Sequence, residues 1–127
     1  MNINELDKNI YNKFMSENTG FGNLKIRAYA ASEALPVSGL NIIVSSNIDN
    51  NNVVFFRGMT DSSGMIETIK LPAPKLNLSN LEVPKTTIYN IEAYMDINNK
   101  SNFSVNMYDG ICVVQNINFV PGGNYGN

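Results

Sequence analysis

From Gly22 onward, apolar residues fall at every second position in short runs separated by turn residues, and this period of two most constrains what the chain can fold into. Leu24, Ile26 and Ala28 alternate with Lys25, Arg27 and Tyr29, the pattern of a strand with one buried face. Pro36-Val37-Ser38-Gly39 reads as a turn, and Leu40, Ile42 and Val44 form a second alternating run. Asn47 to Asn52 reads as a loop, followed by a strand from Val53 to Met59. In the tight turn Thr60-Asp61-Ser62-Ser63-Gly64, the Asp61 side chain can accept from its own downstream backbone and Gly64 can take a positive φ. Met65 to Leu71 is the next strand. Pro72, Pro74 and Pro84 then bracket an extended connection that cannot belong to a central strand. Thr87 to Met95, Ser101 to Met107 after the Asn98-Asn99 turn, and Ile111 to Val120 after Asp109-Gly110 complete the set.

Each such strand has one apolar face that must be covered by a second layer. The expectation is therefore all-β: a seven-stranded antiparallel Greek-key β-sandwich, with a small barrel as the alternative. Ahead of it, Ile3, Leu6, Ile10 and Phe14 are spaced three, four and four apart, which predicts a short N-terminal helix over residues 2 to 15 with one apolar face. Asn2 and Glu5 resemble a capping box, and Gly20 and Gly22 are expected to stop the helix. Packed on its own domain, that face completes a core; presented outward, it offers a contact for a homo-oligomer. The expected organisation is a helical extension over residues 1–20, one sandwich domain over 21–121 and a flexible tail over 122–127. At 127 residues, 43% of them hydrophobic, the chain can bury a core without disulfides, and its one cysteine cannot form an internal bridge.

Histidine is absent, which removes Ser-His-Asp and Cys-His nucleophiles and the usual zinc ligand sets. Cys112 lies in the apolar run Ile111-Cys112-Val113-Val114 and is expected to be an inert core thiol. The oxygen-rich stretches Asp49-Asn50-Asn51-Asn52 and Asp61-Ser62-Ser63 fall short of a calcium loop's ligand count and read instead as turns. No catalytic, cofactor-binding or metal-binding residue is therefore assigned, and the chain reads as a non-enzyme. A net charge of −2, pI near 5.0 and scattered basic residues give no footprint for nucleic acid. No run approaches the roughly 18 apolar residues of a membrane span. The N-terminus, with Glu5 and Asp7 and no apolar core, is not that of a signal peptide. The expectation is synthesis in the cytoplasm.

Several segments together resemble a prealbumin-like, or carboxypeptidase regulatory-like (transthyretin-like), sandwich domain. They are Gly22-Asn23-Leu24-Lys25-Ile26, Leu35-Pro36-Val37-Ser38-Gly39-Leu40-Asn41-Ile42-Ile43-Val44, Thr60-Asp61-Ser62-Ser63-Gly64, Leu71-Pro72-Ala73-Pro74, Tyr89-Asn90-Ile91-Glu92-Ala93, and Phe103 to Gly110 running on through Gln115 to Val120-Pro121. The Leu-Pro-Ala-Pro element with the Thr-Asp-Ser-Ser-Gly turn looks most like the version attached to spore cortex-lytic enzymes of clostridia. The resemblance implies a non-catalytic accessory domain. Related pilin and adhesin domains carry a Lys–Asn isopeptide bond formed beside an acid, and Lys25, Glu92 and Asn116 or Asn118 superficially supply that trio. Their parity places all three on outward faces, away from such a bond.

Taken together, these features lead to an expected structural or binding module of the bacterial spore or cell envelope, contacting peptidoglycan or a coat protein after deposition from the cytoplasm. The alternative is an attachment or decoration piece of a phage or phage-like particle, which would form a defined homo-oligomer. Tyr29, Tyr94 and Tyr108 are candidate stacking platforms for sugar rings.

Overall fold

The computed structural model describes residues 5–30, 34–77 and 83–120, with side chains from residue 8 onward. Helix α1 (Glu5–Glu17) precedes eight strands: β1 (Gly20–Ala30), β2 (Leu35–Pro36), β3 (Asn41–Ile48), β4 (Asn51–Met59), β5 (Met65–Ala73), β6 (Thr87–Tyr94), β7 (Ser101–Met107) and β8 (Cys112–Asn118). They form two facing sheets. In the first, β1 is central, with β5 and β2 along one side and β8 along the other; the second has the order β4-β3-β6-β7. After the β3–β4 hairpin the chain crosses to the first sheet as β5 and returns as β6 beside β3, a Greek-key path.

The eight strands among the described residues correct the expected seven, and one pairing corrects the expectation of a wholly antiparallel sandwich. The added strand, β2, has two residues, too few to carry an alternating pattern. It exists because Ala28, which takes its amide bond from the Gly64 carbonyl, offers its own carbonyl on the same side to the Val37 amide at 3.0 Å. β8 runs parallel to β1, from Asn23↔Cys112 to Tyr29↔Asn118. The cause is the route of the chain. It leaves the second sheet through Tyr108 to Ile111 at the end where β1 begins, with the Gly110 amide bonded to the Phe21 carbonyl. β5 also extends past the expected Leu71 to Ala73, with Pro72 opposite Phe21. The Phe21 carbonyl is engaged by Gly110 on the other side of β1, so Pro72 is not asked for the ladder donor it lacks.

The period of two is realised most cleanly in β1, where Leu24, Ile26 and Ala28 are buried and Asn23, Lys25 and Arg27 are exposed. Ile42 and Val44 of β3, Tyr89, Ile91 and Ala93 of β6, and Ile117 of β8 join them in one core cluster. The turn over residues 60–64 behaves as read. Asp61 Oδ1 accepts from the amides of Ser63 (2.8 Å) and Met65 (3.0 Å). Gly64 has φ +74, and a Cβ there would overlap the Ala28 carbonyl. The Asn-rich loop narrows to Asp49 and Asn50, both at positive φ, inside a continuous β3–β4 hairpin.

Helix α1 packs on the sandwich through a ring stack. Phe14 is buried, its ring 5.5 Å from Phe55, which meets Tyr89 edge-on at 5.3 Å. Phe55 reaches inward because it is the extra residue of a bulge: Val44 pairs with Phe56 and Ser45 with Val54, leaving Phe55 unpaired between them. Gly20 and Gly22 do not stop the helix, as the sequence had suggested. Asn18 does, its side-chain amide donating to the Phe14 carbonyl at 2.7 Å while its oxygen accepts from the Thr87 hydroxyl. Gly20 and Gly22 begin β1 and let the Asp109 and Met107 side chains approach the backbone. The proposed Asn2 cap and the tail over 122–127 lie outside the described residues, as do Ile3 and the Leu6 side chain.

Phe14→Ala should lower stability by about 3 kcal/mol in chemical denaturation, the usual cost of emptying a buried phenylalanine site. Lys13→Ala, one residue away on the exposed side, should stay within about 0.5 kcal/mol.

Candidate binding face

Because β1 seals its even-numbered side chains in the core, its odd-numbered ones must all emerge on the outer face of the first sheet. Phe21, Asn23, Lys25, Arg27 and Tyr29 therefore form a single row. β8 lies in parallel register beside it, so Cys112, Val114, Asn116 and Asn118 emerge on the same face, and Lys70 of β5 stands across from Asn23. The Lys70 ammonium lies 4.4 Å from the Phe21 ring centroid and the Arg27 guanidinium 5.9 Å from that of Tyr29, so two of the cations rest on aromatic surfaces. Lys25 faces a bulge in β5 that holds Glu67 and Thr68. Three cations and one carboxylate thus occupy this face of a chain whose net charge is −2.

Chemically, the face offers charge, ring surface and side-chain amides. Cys112 belongs to it: the thiol is exposed, which corrects the expected core position. The reason is register. The apolar run around it is broken by parity, and Val113, not Cys112, turns inward against the core.

At the end of the sandwich where β1 starts, Asp109 ties three segments together. Its Oδ1 accepts from the Phe21 amide at 3.1 Å and its Oδ2 from the Leu76 amide at 3.0 Å. These bonds, Leu76 first, hold the carboxyl below its ordinary range; the charge of Lys75 adds to the effect and partial desolvation opposes it. Beside it Pro74, Leu76, Pro84, Tyr108 and Ile111, with Lys85, wall an apolar pocket of about 360 Å³. Nothing in the sequence singled out this carboxylate. Asp109-Gly110 is legible as a turn, whereas its partners lie 88 and 33 residues away.

The three candidate tyrosines are not brought together. Tyr29 is on the outer face of the first sheet. Tyr94 is in the second sheet with Lys100 5.1 Å from its ring, and Tyr108 lines the end pocket. Lys25 and Asn116 share the first sheet's outer face, but Glu92 is in the other sheet, paired with Lys100 at 3.3 Å, so the isopeptide trio is not assembled. The oxygens of Asp61 serve its turn, as above, and the Asn51 side-chain amide donates to the Asp49 carbonyl at 3.0 Å. Among the described residues, no group of three His, Cys, Asp or Glu side chains is placed to hold a metal ion.

No protein-family model matches the chain, and no curated protein matches it either. Solved structures do. Transthyretin from Sparus aurata superposes with a TM-score of 0.57 at 15% identity, covering 81% of this chain and 91% of that one. A 5-hydroxyisourate hydrolase from Klebsiella pneumoniae gives 0.54 at 13% identity over 82% and 94%. A sea bream transthyretin in complex with thyroxine gives 0.55 at 13% identity over 81% and 90%. The chain therefore has the transthyretin-like, or prealbumin-like, sandwich fold.

Asp109 yields a pH test. A carboxyl held low in the folded state contributes stability above its unfolded pKa of about 3.9, and the contribution disappears as pH falls through the lower folded value. The urea midpoint of the wild type should fall through that acid window. Asp109→Asn should start lower at neutral pH and show a shallower acid decline; parallel curves would remove the carboxylate's role.

Proposed function

We propose that this chain is a non-catalytic binding module of the bacterial spore or cell envelope, and that the outer face of the β5-β1-β8 sheet lies against peptidoglycan. The observation that carries this reading is the concentration of Lys25, Arg27 and Lys70 beside the Phe21 and Tyr29 rings, in a chain of opposite net charge. A peptidoglycan strand presents sugar rings that stack on aromatic side chains and stem-peptide carboxylates that pair with Lys and Arg. Asn23, Asn116 and Asn118 add amides that both donate and accept, suited to hydroxyl and acetamido groups. The similarity of the Leu71-Pro72-Ala73-Pro74 and Thr60-to-Gly64 elements to the accessory domain of spore cortex-lytic enzymes supports a non-catalytic accessory role. A coat protein with an acidic face is the other occupant that this charge pattern suits.

Co-sedimentation with purified spore cortex and with vegetative peptidoglycan tests the reading. The wild-type protein should pellet at low salt and be released as salt screens the exposed charges. The triple variant Lys25→Glu, Arg27→Glu, Lys70→Glu should lose retention by roughly tenfold or more, the sum of three exposed charge contacts of up to about 1 kcal/mol each, with its circular dichroism unchanged. Equal retention of variant and wild type would dismiss this face. Retention by neither material, with a discrete ring-sized assembly in solution, would favour the particle component instead.

A further inference from the structure

We infer that the apolar pocket at the end of the sandwich where β1 starts takes the free carboxyl terminus of a peptidoglycan stem peptide, two alanine residues ending in a carboxylate that Lys85 receives. The source of this ligand rests on the wall reading above, whereas the pocket stands on its own construction. Its walls come from three segments distant in sequence, and each is fastened to the next. Asp109 accepts from the Leu76 amide at 3.0 Å, which ties residues 74–76 to residues 108–111. The Thr86 hydroxyl donates to the Met107 carbonyl at 3.0 Å, which ties residues 84–86 to the same segment. Pro74 and Pro84 have their φ fixed by their rings. A ligand therefore meets a cavity already shaped, and little ordering of the protein opposes its binding.

The chemistry of the walls selects the ligand. Pro74, Leu76, Pro84, Tyr108 and Ile111 line a volume of about 360 Å³ with apolar surface. That lies at the small end of the roughly 300–1,000 Å³ typical of ligand sites, enough for a short peptide end. Leu76 and Ile111 are 41% and 49% exposed in the single chain, so methyl groups entering here cover apolar surface on both partners. Of the two charged residues at the pocket, Asp109 has both carboxylate oxygens engaged by the Phe21 and Leu76 amides, and the charge of Lys75 acts on it as well. Lys85 has no ion-pair partner among the described residues. The uncommitted charge is thus positive, and its match is a compact apolar group that carries a carboxylate.

A saccharide fits these walls poorly, because most of its hydroxyls would be left without partners. An alanine pair inside a chain offers Lys85 no charge. A terminal alanine pair offers both parts, two methyl groups and a free carboxylate. The pocket also adjoins the candidate face. Asp109 holds the amide of Phe21, the first of the outward row, and the Ile111 carbonyl accepts from the Asn23 amide at 2.9 Å. A glycan on that face and its stem peptide in the pocket would occupy neighbouring surfaces.

Titration of the methyl-labelled full-length chain with N,N′-diacetyl-lysyl-D-alanyl-D-alanine, followed by nuclear magnetic resonance, tests the pocket. The Leu76 and Ile111 methyl signals should shift and saturate. The same peptide with its terminal carboxylate amidated should bind about fivefold more weakly, the scale of one exposed charge pair. Lys85 is exposed, so Lys85→Gln should fold normally, weaken the acid by a similar factor and leave the amide unchanged; Lys85→Arg should restore binding of the acid. No shift at either methyl, or equal binding of acid and amide, would overturn the proposal. The triple variant Lys25→Glu, Arg27→Glu, Lys70→Glu keeps the pocket and should still bind the peptide. Retention of the wild type by peptidoglycan without these shifts would overturn the pocket and leave the outer face standing. Shifts without retention by either wall material would uphold the pocket's preference for a carboxylate and overturn the wall reading.

Discussion

Everything in this molecule hangs on the double pairing of β1. Its alternate side chains Leu24, Ile26 and Ala28 enter the core while both of its edges are bonded, to β5 and β2 on one side and to β8 on the other. A shift of one residue would bury Lys25 and Arg27 and expose the isoleucine and leucine, so register here is strongly specified. The outer face is the necessary complement of that burial. Its cations stand together because the paired strands β1 and β5 obey one parity, not because the sequence clusters them.

The core extends outward from β1 by bulges as much as by regular pairing. One bulge in β4 turns Phe55 toward Phe14 and Tyr89, which lets a helix of thirteen residues cover part of the sandwich. Tyr89 completes that region with a hydroxyl that donates to the Pro72 carbonyl, and burial in this apolar setting pushes its ionisation well above the ordinary tyrosine range. At the same end of β1, Asp109 adds two charge-assisted bonds to backbone amides. Helix, sheet end and β5–β6 connection are thereby fixed to the same strand.

Much of this was legible because it is local. Alternation located the cores of the long strands, Asp61 and Gly64 announced their turn, and Ile10 and Phe14 announced a helix that covers an apolar surface. What escaped depends on partners distant in sequence. β2 is created by a single carbonyl of Ala28, and the parallel arrangement of β8 by the direction from which the chain enters the sheet. The inward turn of Phe55 comes from an unpaired residue that no period reveals. Cys112 illustrates the limit most clearly: an apolar neighbourhood suggested burial, but only the register against β1 decides which of Cys112 and Val113 faces the core. The candidate face was hidden for the same reason, since Lys70 and Arg27 lie far apart in the chain and share a face only because β5 pairs with β1.

The parallel alignment of β1 and β8 is the point at which the account is most directly tested, because it places Lys25, Arg27, Asn116 and Asn118 on one surface. Cross-strand nuclear Overhauser contacts in labelled protein read it without reference to any ligand. Backbone contacts should link Lys25 with Val114 and Arg27 with Asn116, advancing in the same direction along both strands. Contacts advancing in opposite directions, or a β1 whose neighbour on that side is not β8, would contradict the account.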